Sequence, residues 1–179
     1  MELYAAHGFE HTTGVDIAER AGLTERTFFR HFADKREVLF SGALQFQDTL
    51  VGAVTDAPPT VPALEVVAGA FASASDLFFE ERRDDVGRRQ AIVDANVELQ
   101  ERERNKLSTV AVAMAEALRA RGVADPAARL AAETGLAVFT LAFEEWVHSA
   151  GGPALSQRIW MLVDELRDLT ARRGRTSRR

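Results

Sequence analysis

The chain has 179 residues, 46% of them hydrophobic and 27% charged, so it can bury a sizeable core in one or two small domains. Its 27 acidic and 22 basic side chains give a net charge of -5, which excludes nucleic-acid binding through bulk charge and requires a local basic patch for such a partner. The absence of cysteine excludes disulfides, thiolate nucleophiles and cysteine-based zinc sites.

Helical signals dominate the chain. Strand patterns are nearly absent, whereas apolar residues recur at helical spacing between breaks at glycine and proline. No run of about 20 predominantly apolar residues is present, and no N-terminal stretch has the pattern of a secretion signal. The sequence therefore predicts an all-α, cytoplasmic protein without a membrane partner.

The N-terminal residues contain a pattern that is typical of zinc proteases. His7, Glu10 and His11 spell H-x-x-E-H, in which two histidines four residues apart share one helical face. Gly8 interrupts the helix between the histidines and no further ligand pattern follows, which favours an accidental match. Other catalytic motifs are also missing, so we expect no metal, no cofactor and no enzymatic activity.

Residues 13–31 carry the signals of two short helices joined by a glycine. Thr13 is placed to cap "GVDIAERAG", and Gly22 can end that helix with a positive φ. Thr24 can cap a second helix, "ERTFFRHF". A helix, a glycine turn and a second helix form the helix-turn-helix motif, whose second helix lies in the major groove of DNA.

Basic and aromatic residues alternate along the second of these helices. Phe28 and Phe32, four residues apart, can anchor one face, which leaves Arg26 and Arg30 to project elsewhere. Arginine fits guanine O6 and N7 with two hydrogen bonds, whereas threonine, histidine and lysine suit phosphate oxygens. Asp34 is the expected cap of a following helix. The stretch predicts a local surface for duplex DNA.

The segment "TTGVDIAERAGLTERTFFRHFADKREVLF" resembles the DNA-binding segment of TetR-type transcriptional regulators over about residues 8–40. The positions that carry the resemblance are Thr13, Ile17, Ala18, Ala21, Gly22, Leu23, Thr24, Thr27, Phe29, His31, Phe32, Lys35 and Leu39. The family's first helix normally begins some residues earlier than "LYAAHGF", so we expect an incomplete first helix in a DNA-binding domain of residues 1–50.

The resemblance implies two sets of DNA contacts. Contacts with the DNA backbone are expected from Thr13, Thr24, Thr27, His31 and Lys35. Contacts with bases are expected from Glu25, Arg26 and Arg30. Phe29 replaces the family's usual tyrosine, so we expect its ring to pack or to meet a thymine methyl group instead of a phosphate.

A predicted helical domain, residues 51–172, follows the DNA-binding segment. Thr60 can cap its first helix, and a later helix is expected to stop at Gly122. The mixed-charge run "ELQERERNK" before that later helix is interpreted as a solvated face, supported by weak pairs such as Glu98 with Arg102.

Apolar side chains of this domain can enclose a ligand pocket between helices, although the same stripes are typical of an ordinary core. The expected lining residues are Phe71, Phe78, Phe79, Arg89, Met114, Phe139, Phe143 and Trp146. The resemblance implies an unknown small-molecule effector. The cluster of Arg82, Arg83, Arg88 and Arg89 could receive the anionic head group of an apolar ligand, or could form a solvated connection paired with Asp84 and Asp85.

The last two predicted helices have more apolar surface than one core face requires. Between Leu130 and Val147 the only charged residues are glutamates, and Trp160 and Met161 lie outside the apolar stripe of the final helix. We expect a homodimer that pairs these helices across two subunits, with ordinary core as the alternative. The residues assigned to the interface are Leu136, Thr140, Trp160, Val163 and Arg167.

Two hypotheses of function remain open. The first is a ligand-responsive transcriptional regulator that binds a double-stranded DNA operator, a repressor released by a small molecule, with activation as a variant. The second is a helical ligand-binding or scaffolding dimer that has lost DNA binding. A basic tail, residues 173–179, is expected to be disordered and is given no role in either.

Overall fold

The computed structural model describes residues 2–171, apart from the side chains of Glu2 and Ala5, and the predicted tail lies outside this range. The described residues are helical and contain no strand, so the predicted all-α fold is confirmed. The helices are α1 (Glu2–His7), α2 (Gly14–Arg20), α3 (Glu25–His31), α4 (Lys35–Leu39), α5 (Ala43–Asp56), α6 (Ala63–Phe78), α7 (Arg83–Asp94), α8 (Val97–Ala120), α9 (Asp125–His148) and α10 (Leu155–Ala171), with a 3-10 turn at Glu80–Arg82.

The chain forms two compact units that do not follow the order of the sequence. The first unit comprises Met1–Leu44 and Arg83–Lys106, and the second comprises Gln45–Arg82 and Leu107–Arg179. The predicted boundary between residues 50 and 51 differs from this division because residues 83–106, from the middle of the chain, pack with the N-terminal segment. The assignment of separate functions to residues 1–50 and 51–172 stays a prediction.

Helix α2 begins with a reciprocal cap. The Thr13 hydroxyl accepts a hydrogen bond from the Asp16 amide at 3.2 Å, and the Asp16 carboxylate accepts from the Thr13 amide at 2.7 Å. The hydrogen bond from the Thr13 backbone, and then that from its hydroxyl, hold the pKa of Asp16 below its usual range. Beyond the end of α2, Gly22 has a φ of 68°. The predicted cap and glycine turn are confirmed.

Side chains also cap α3 and α4. The Thr24 hydroxyl accepts from the Thr27 amide at 3.2 Å, and Asp34 Oδ1 accepts from the Arg36 and Glu37 amides at 2.7 and 3.2 Å. Both caps were predicted and are confirmed.

The boundaries predicted for two later helices have different outcomes. The cap predicted at Thr60 is wrong, because α6 begins at Ala63 with Pro62 in the N-cap position and no side-chain cap. The break at Gly122 is confirmed, since α8 ends at Ala120 and Gly122 has a φ of 86°.

A small core holds the first unit together. Its buried members are Tyr4, Phe9, Leu39, Phe40, Val93 and Leu99. The Tyr4 hydroxyl donates a hydrogen bond to the Lys35 carbonyl at 2.6 Å, which ties α1 to the start of α4.

Replacing Tyr4 by phenylalanine is expected to lower the free energy of unfolding by about 1 kcal/mol near neutral pH, because it removes this hydrogen bond. Burial, and then the charge of Asp34, raise the pKa of Tyr4 to about 12. An unfolded tyrosine has a pKa of about 10. The extra stability of the neutral phenol is therefore complete below about pH 10 and is lost as the pH rises from about 10 to 12.

Urea unfolding of the wild type and Tyr4→Phe at about pH 8 and pH 11 checks this expectation. The stability difference should shrink or reverse at the higher pH. Tyr4 is the only tyrosine, so ultraviolet titration reads its ionisation directly. Parallel pH profiles for the two proteins would contradict the assignment.

In the second unit, α6, α9 and α10 pack against one another. The approach of α6 to α9 requires a glycine, because a Cβ atom at Gly135 would overlap Cγ1 of Val67 and would lie 3.1 Å from its Cβ. Val67 is fully buried and cannot move into solvent.

The variant Gly135→Ala is expected to lower the free energy of unfolding by about 1–3 kcal/mol through overpacking. Gly52→Ala in α5 is the matched control, because a Cβ atom there would meet nothing within 4 Å. This control should gain up to about 1 kcal/mol from helix propensity. Urea unfolding compares the two, and a gain in both variants would refute the close packing.

Candidate DNA-binding surface and ligand site

The predicted base contacts lie on the exposed face of α3. Glu25, Arg26 and Arg30 are exposed, and neither arginine forms an ion pair with a described residue. Arg30 Nη2 lies 3.4 Å from Nε2 of the neighbouring, exposed His31. The opposite face of α3 is anchored by Phe28, which is 1% exposed. Phe28 therefore holds α3 in place, while the guanidinium groups of Arg26 and Arg30 remain accessible to solvent.

Phe29 packs against its neighbours and also remains accessible. Its ring is 48% exposed and lies edge-on to Phe28, with centroids 5.2 Å apart. A Cβ atom at Gly14 would lie 2.9 Å from Cε1 of Phe28 and 3.2 Å from Cζ of Phe29, so the glycine admits both rings at the start of α2. The exposed part of the Phe29 ring can make apolar contact but cannot donate a hydrogen bond to phosphate.

The three threonines assigned to the DNA backbone have hydroxyls with local partners. Those of Thr13 and Thr24 cap α2 and α3, and both residues are exposed. Thr27 is half-buried, with Oγ1 2.9 Å from Oγ1 of Thr24. Their contacts with DNA stay predictions.

Lys35 has internal partners that the sequence did not indicate. Its ammonium group donates hydrogen bonds to the carbonyls of Phe9 at 2.7 Å and Glu10 at 3.1 Å, and it lies 4.4 Å from the centroid of the Phe9 ring. The side chain thus fastens α4 to the turn after α1. Its phosphate contact stays a prediction, and its charge is held beside that turn.

Contacts between α8 and α4 correct the interpretation of "ELQERERNK" as a purely solvated face. Arg102 pairs with Glu37, and Glu98 pairs with Arg36 at 2.8 Å, so neither member of the suggested Glu98–Arg102 pair has the other as its partner. The sequence offered only one signal for this arrangement, the complementary charges of the two segments, and it does not say which charges meet.

A cluster of aromatic rings occupies the second unit. Phe71 and Phe139 stack with centroids 4.6 Å apart and planes 13° from parallel. Phe46 lies beside both, at 6.3 and 5.8 Å. The linked rings are Phe46, Phe71, Phe78, Phe79, Phe139, Phe143 and Trp146. The structure thus brings together the predicted aromatic lining and adds Phe46, while Met114 is fully buried in the same unit.

Arg89, the charged member of the predicted lining, belongs to the first unit. Its Nε donates a hydrogen bond to the Leu39 carbonyl at 3.1 Å, and its guanidinium pairs with Glu103. Nearby Arg88 pairs with Asp85 at 2.5 Å, as the solvated alternative predicts. These partners already neutralise both arginines, so an anionic head group at Arg89 would have to compete with Glu103.

The residues assigned to a dimer interface differ in accessibility. Val163 is fully buried within the chain and belongs to the core stripe of α10, so it has no surface to offer a partner. Leu136 and Thr140 are half-buried, whereas Trp160 is 39% exposed. Arg167 is exposed and pairs with Glu65 and Asp164, each at 2.7 Å.

Further large apolar side chains on the same helices are exposed, namely those of Leu130, Leu141, Met161 and Leu169. Leu141 on α9 is 48% exposed and Met161 on α10 is 61% exposed. The helical pattern predicted that Met161 lies outside the core stripe of α10, but it did not distinguish Leu141 from the other apolar residues of α9. Each helix therefore leaves apolar side chains uncovered within the single chain.

No group of three or more His, Asp or Glu side chains within residues 2–171 could hold a metal ion. His7 ends α1, and the following Gly8 has a φ of 79°, so His7 and His11 do not share a helical face. Among the described helices, none is long and apolar enough to cross a membrane.

Comparisons with known proteins agree with this arrangement. Residues 1–41 match the model for the bacterial regulatory proteins of the tetR family. The HTH-type transcriptional regulator TcmR of Streptomyces glaucescens is 39% identical over 71 residues, which are 40% of this chain and 31% of TcmR. The match thus spans about a third of that relative's length.

A solved structure shares the fold over most of the chain. The TetR family transcriptional repressor FadR of Thermus thermophilus, in complex with lauroyl-CoA, superposes with a TM-score of 0.60 and 21% identity, covering 92% of this chain and 87% of FadR. A capped helix-turn-helix segment followed by a helical domain defines a class of DNA-binding regulators. The predicted resemblance to TetR-type regulators is confirmed, and it is carried by residues 1–41.

Proposed function

We propose that this protein is a cytoplasmic, dimeric transcriptional regulator that binds a double-stranded DNA operator through α3 and is released by an apolar small molecule. The observation that carries the proposal is the pair of exposed arginines, Arg26 and Arg30, on a helix anchored from behind by Phe28. These residues lie within the segment that matches the TetR family. Arg26 and Arg30 form a local positive patch on a chain whose net charge is negative.

The arginines, the threonines and Phe29 of this segment have different expected contacts with DNA. The arginines fit guanine edges with paired hydrogen bonds, and threonine hydroxyls suit phosphate oxygens. The half-exposed Phe29 ring suits a thymine methyl group. Two copies of the chain would place two α3 helices in half-sites about one turn of DNA, roughly 34 Å, apart.

The effector is proposed to be apolar because the ring cluster of the second unit offers aromatic surface and few polar groups. Four of its rings are only partly buried, namely Phe46, Phe78, Phe79 and Phe143. The complex of FadR with lauroyl-CoA supports an acyl compound as the first class to test. A ligand that favours another spacing of the two α3 helices would weaken operator binding by a coupling of about 1–3 kcal/mol.

Selection of duplexes from a random-sequence pool tests DNA binding. The regulator should enrich a palindromic site, and its affinity should fall steeply between about 50 and 200 mM salt as counterions are released. A scaffolding dimer that has lost DNA binding would show no sequence preference at either salt concentration. Absence of enrichment at low salt would reject the proposal.

A matched set of additives tests the effector class on the selected operator complex. Lauroyl-CoA and lauric acid carry the acyl chain, whereas coenzyme A carries the head group alone. Release by the first two but not by coenzyme A would support an apolar effector. Release by coenzyme A alone would overturn the choice of the ring cluster, and release by none would exclude fatty acyl compounds.

A further inference from the structure

We infer that α7 and α8 carry a charged clasp that holds α4 at both ends, and that Arg102 of α8 is the positioning residue at its centre. The clasp consists of Arg89, Glu98, Arg102 and Lys106, which act on α4 and on Asp34 before it. The inference rests on the proposed DNA-binding function, since it concerns how the DNA-binding segment is kept in place.

Two acidic residues at the start of α4 face cations of α8. One Glu37 carboxylate oxygen pairs with Arg102 Nη2, and the other lies 3.7 Å from Lys106 Nζ. Asp34 caps α4 through Oδ1, and its Oδ2 lies 3.8 Å from Arg102 Nη1. Arg102 therefore contacts both the cap and the first turn of α4.

An ion pair of the opposite polarity also links α4 to α8. Arg36 on α4 pairs with Glu98 on α8 at 2.8 Å. Glu98, Arg102 and Lys106 are spaced four residues apart and so share one face of α8. One face of a single helix thus offers a carboxylate and two cations to groups of opposite charge.

The other end of α4 is held by Arg89. Its Nε donates to the Leu39 carbonyl at 3.1 Å, which satisfies one of the last carbonyls of α4. Its guanidinium carbon lies 4.9 Å from the centroid of the Phe40 ring, and Lys106 Nζ lies 5.6 Å from the same centroid. Glu103 pairs with Arg89 and keeps the guanidinium in this orientation.

Helix α4 needs external support because it has only 5 residues. A helix of this length does not persist without tertiary contacts. The side chains of Glu37 and Arg102 are 27% and 33% exposed, so solvent screens their interaction less than it screens a surface pair. A network of this kind contributes more than isolated surface pairs do.

The position of α4 matters for DNA because it follows α3 after only three residues. Lys35, its first residue, also fastens the turn after α1 through two carbonyls. Displacement of α4 would therefore disturb the end of α3, where Arg30 and His31 lie. The clasp therefore determines operator affinity without contacting DNA.

The variant Arg102→Gln tests the clasp against Arg104→Gln, which removes the same charge from an exposed position of the same helix. Arg104 forms no ion pair with a described residue. Operator affinity should fall about tenfold in Arg102→Gln and change less than about twofold in Arg104→Gln. Equal losses in the two variants would overturn the clasp, because they would reflect charge alone.

Charge reversal tests whether Glu37 and Arg102 act as a pair. Glu37→Arg and Arg102→Glu should each weaken operator binding, whereas the double variant should recover part of the loss, because the pair is restored with opposite polarity while Lys106 and Asp34 then face like charges. Losses that add in the double variant would overturn the pairing.

Hydrogen exchange at residues 35–40 tests the clasp without DNA. Protection should fall in Arg102→Gln and remain in Arg104→Gln. If the wild type enriches no DNA sequence but the two variants still differ in protection, the proposed function fails and the clasp is supported. If the difference is absent, the clasp is overturned whatever the outcome with DNA.

Discussion

Replacing both Arg26 and Arg30 by alanine is expected to abolish selective operator binding while leaving the chain folded. Each arginine that meets a guanine with two hydrogen bonds contributes about 1–3 kcal/mol of discrimination, so each single variant should lose about tenfold or more. Both side chains are exposed and lack ion-pair partners among the described residues. Their removal therefore costs the fold little, since Phe28 continues to anchor α3.

Competition among related duplexes distinguishes base contacts from simple attraction. Each single variant should lose preference at particular base pairs, whereas loss of a phosphate contact would weaken all sequences alike. Arg129→Ala is the control for charge, since Arg129 is exposed on α9 and forms no ion pair with a described residue. An unchanged preference profile in Arg26→Ala and Arg30→Ala would defeat the assignment of α3 as the reading helix.

The features that the sequence predicted well are those that depend on near neighbours. A cap links a side chain to an amide two or three residues later, so Thr13, Thr24 and Asp34 could be assigned from the local pattern. Thr60 shows the limit of this reasoning. It has a suitable side chain, yet Pro62 occupies the N-cap position and α6 begins at Ala63 without a side-chain cap.

Contacts between distant residues could not be predicted. Glu37 and Arg102 are 65 positions apart, and no local rule selects this partner for Arg102 over Glu98 on its own helix. The same limit explains Arg89, which has a suitable charge for a ligand head group but lies in the unit that contains Leu39 and Glu103. Long-range packing decides which charges remain available to a ligand.

The aromatic cluster shows how periodicity can find a group of residues but miss members of it. The sequence predicted Phe71, Phe78, Phe139 and Phe143 as pocket lining between apolar helices, and the structure joins their rings. Phe46 was missed because it precedes the predicted boundary at residue 50, while the second unit begins at Gln45. A boundary placed from the family resemblance does not show which unit the residues of α5 join.

The variant Leu141→Glu with Met161→Glu is expected to convert the proposed dimer into folded monomers and to lower operator affinity more than about 100-fold. Both side chains are exposed in the single chain, at 48% and 61%, so the substitutions leave its core unchanged. In a dimer that covers α9 and α10, four new carboxylates would be buried without partners, which costs several kcal/mol. Analytical ultracentrifugation measures the oligomeric state.

Leu77→Glu provides a control on a different helix, since Leu77 on α6 is 69% exposed. It should leave both the sedimentation coefficient and the operator affinity unchanged. If the double variant remains a dimer at micromolar concentration, the exposed faces of α9 and α10 do not form the interface. If the wild type is itself a monomer, the proposed symmetric operator complex is excluded.

Salt dependence then tells whether lost affinity reflects lost subunits or damaged α3 helices. The slope of log affinity against log salt is proportional to the number of phosphates neutralised, so a monomer on one half-site should have about half the slope of the dimer. Leu141→Glu with Met161→Glu should therefore bind weakly with a halved slope and with the base preferences of one half-site intact. Arg26→Ala should show the opposite combination, because two subunits would still grip the DNA backbone while one base contact in each half-site is gone. A double variant with the full slope would mean that the second subunit is still present on DNA.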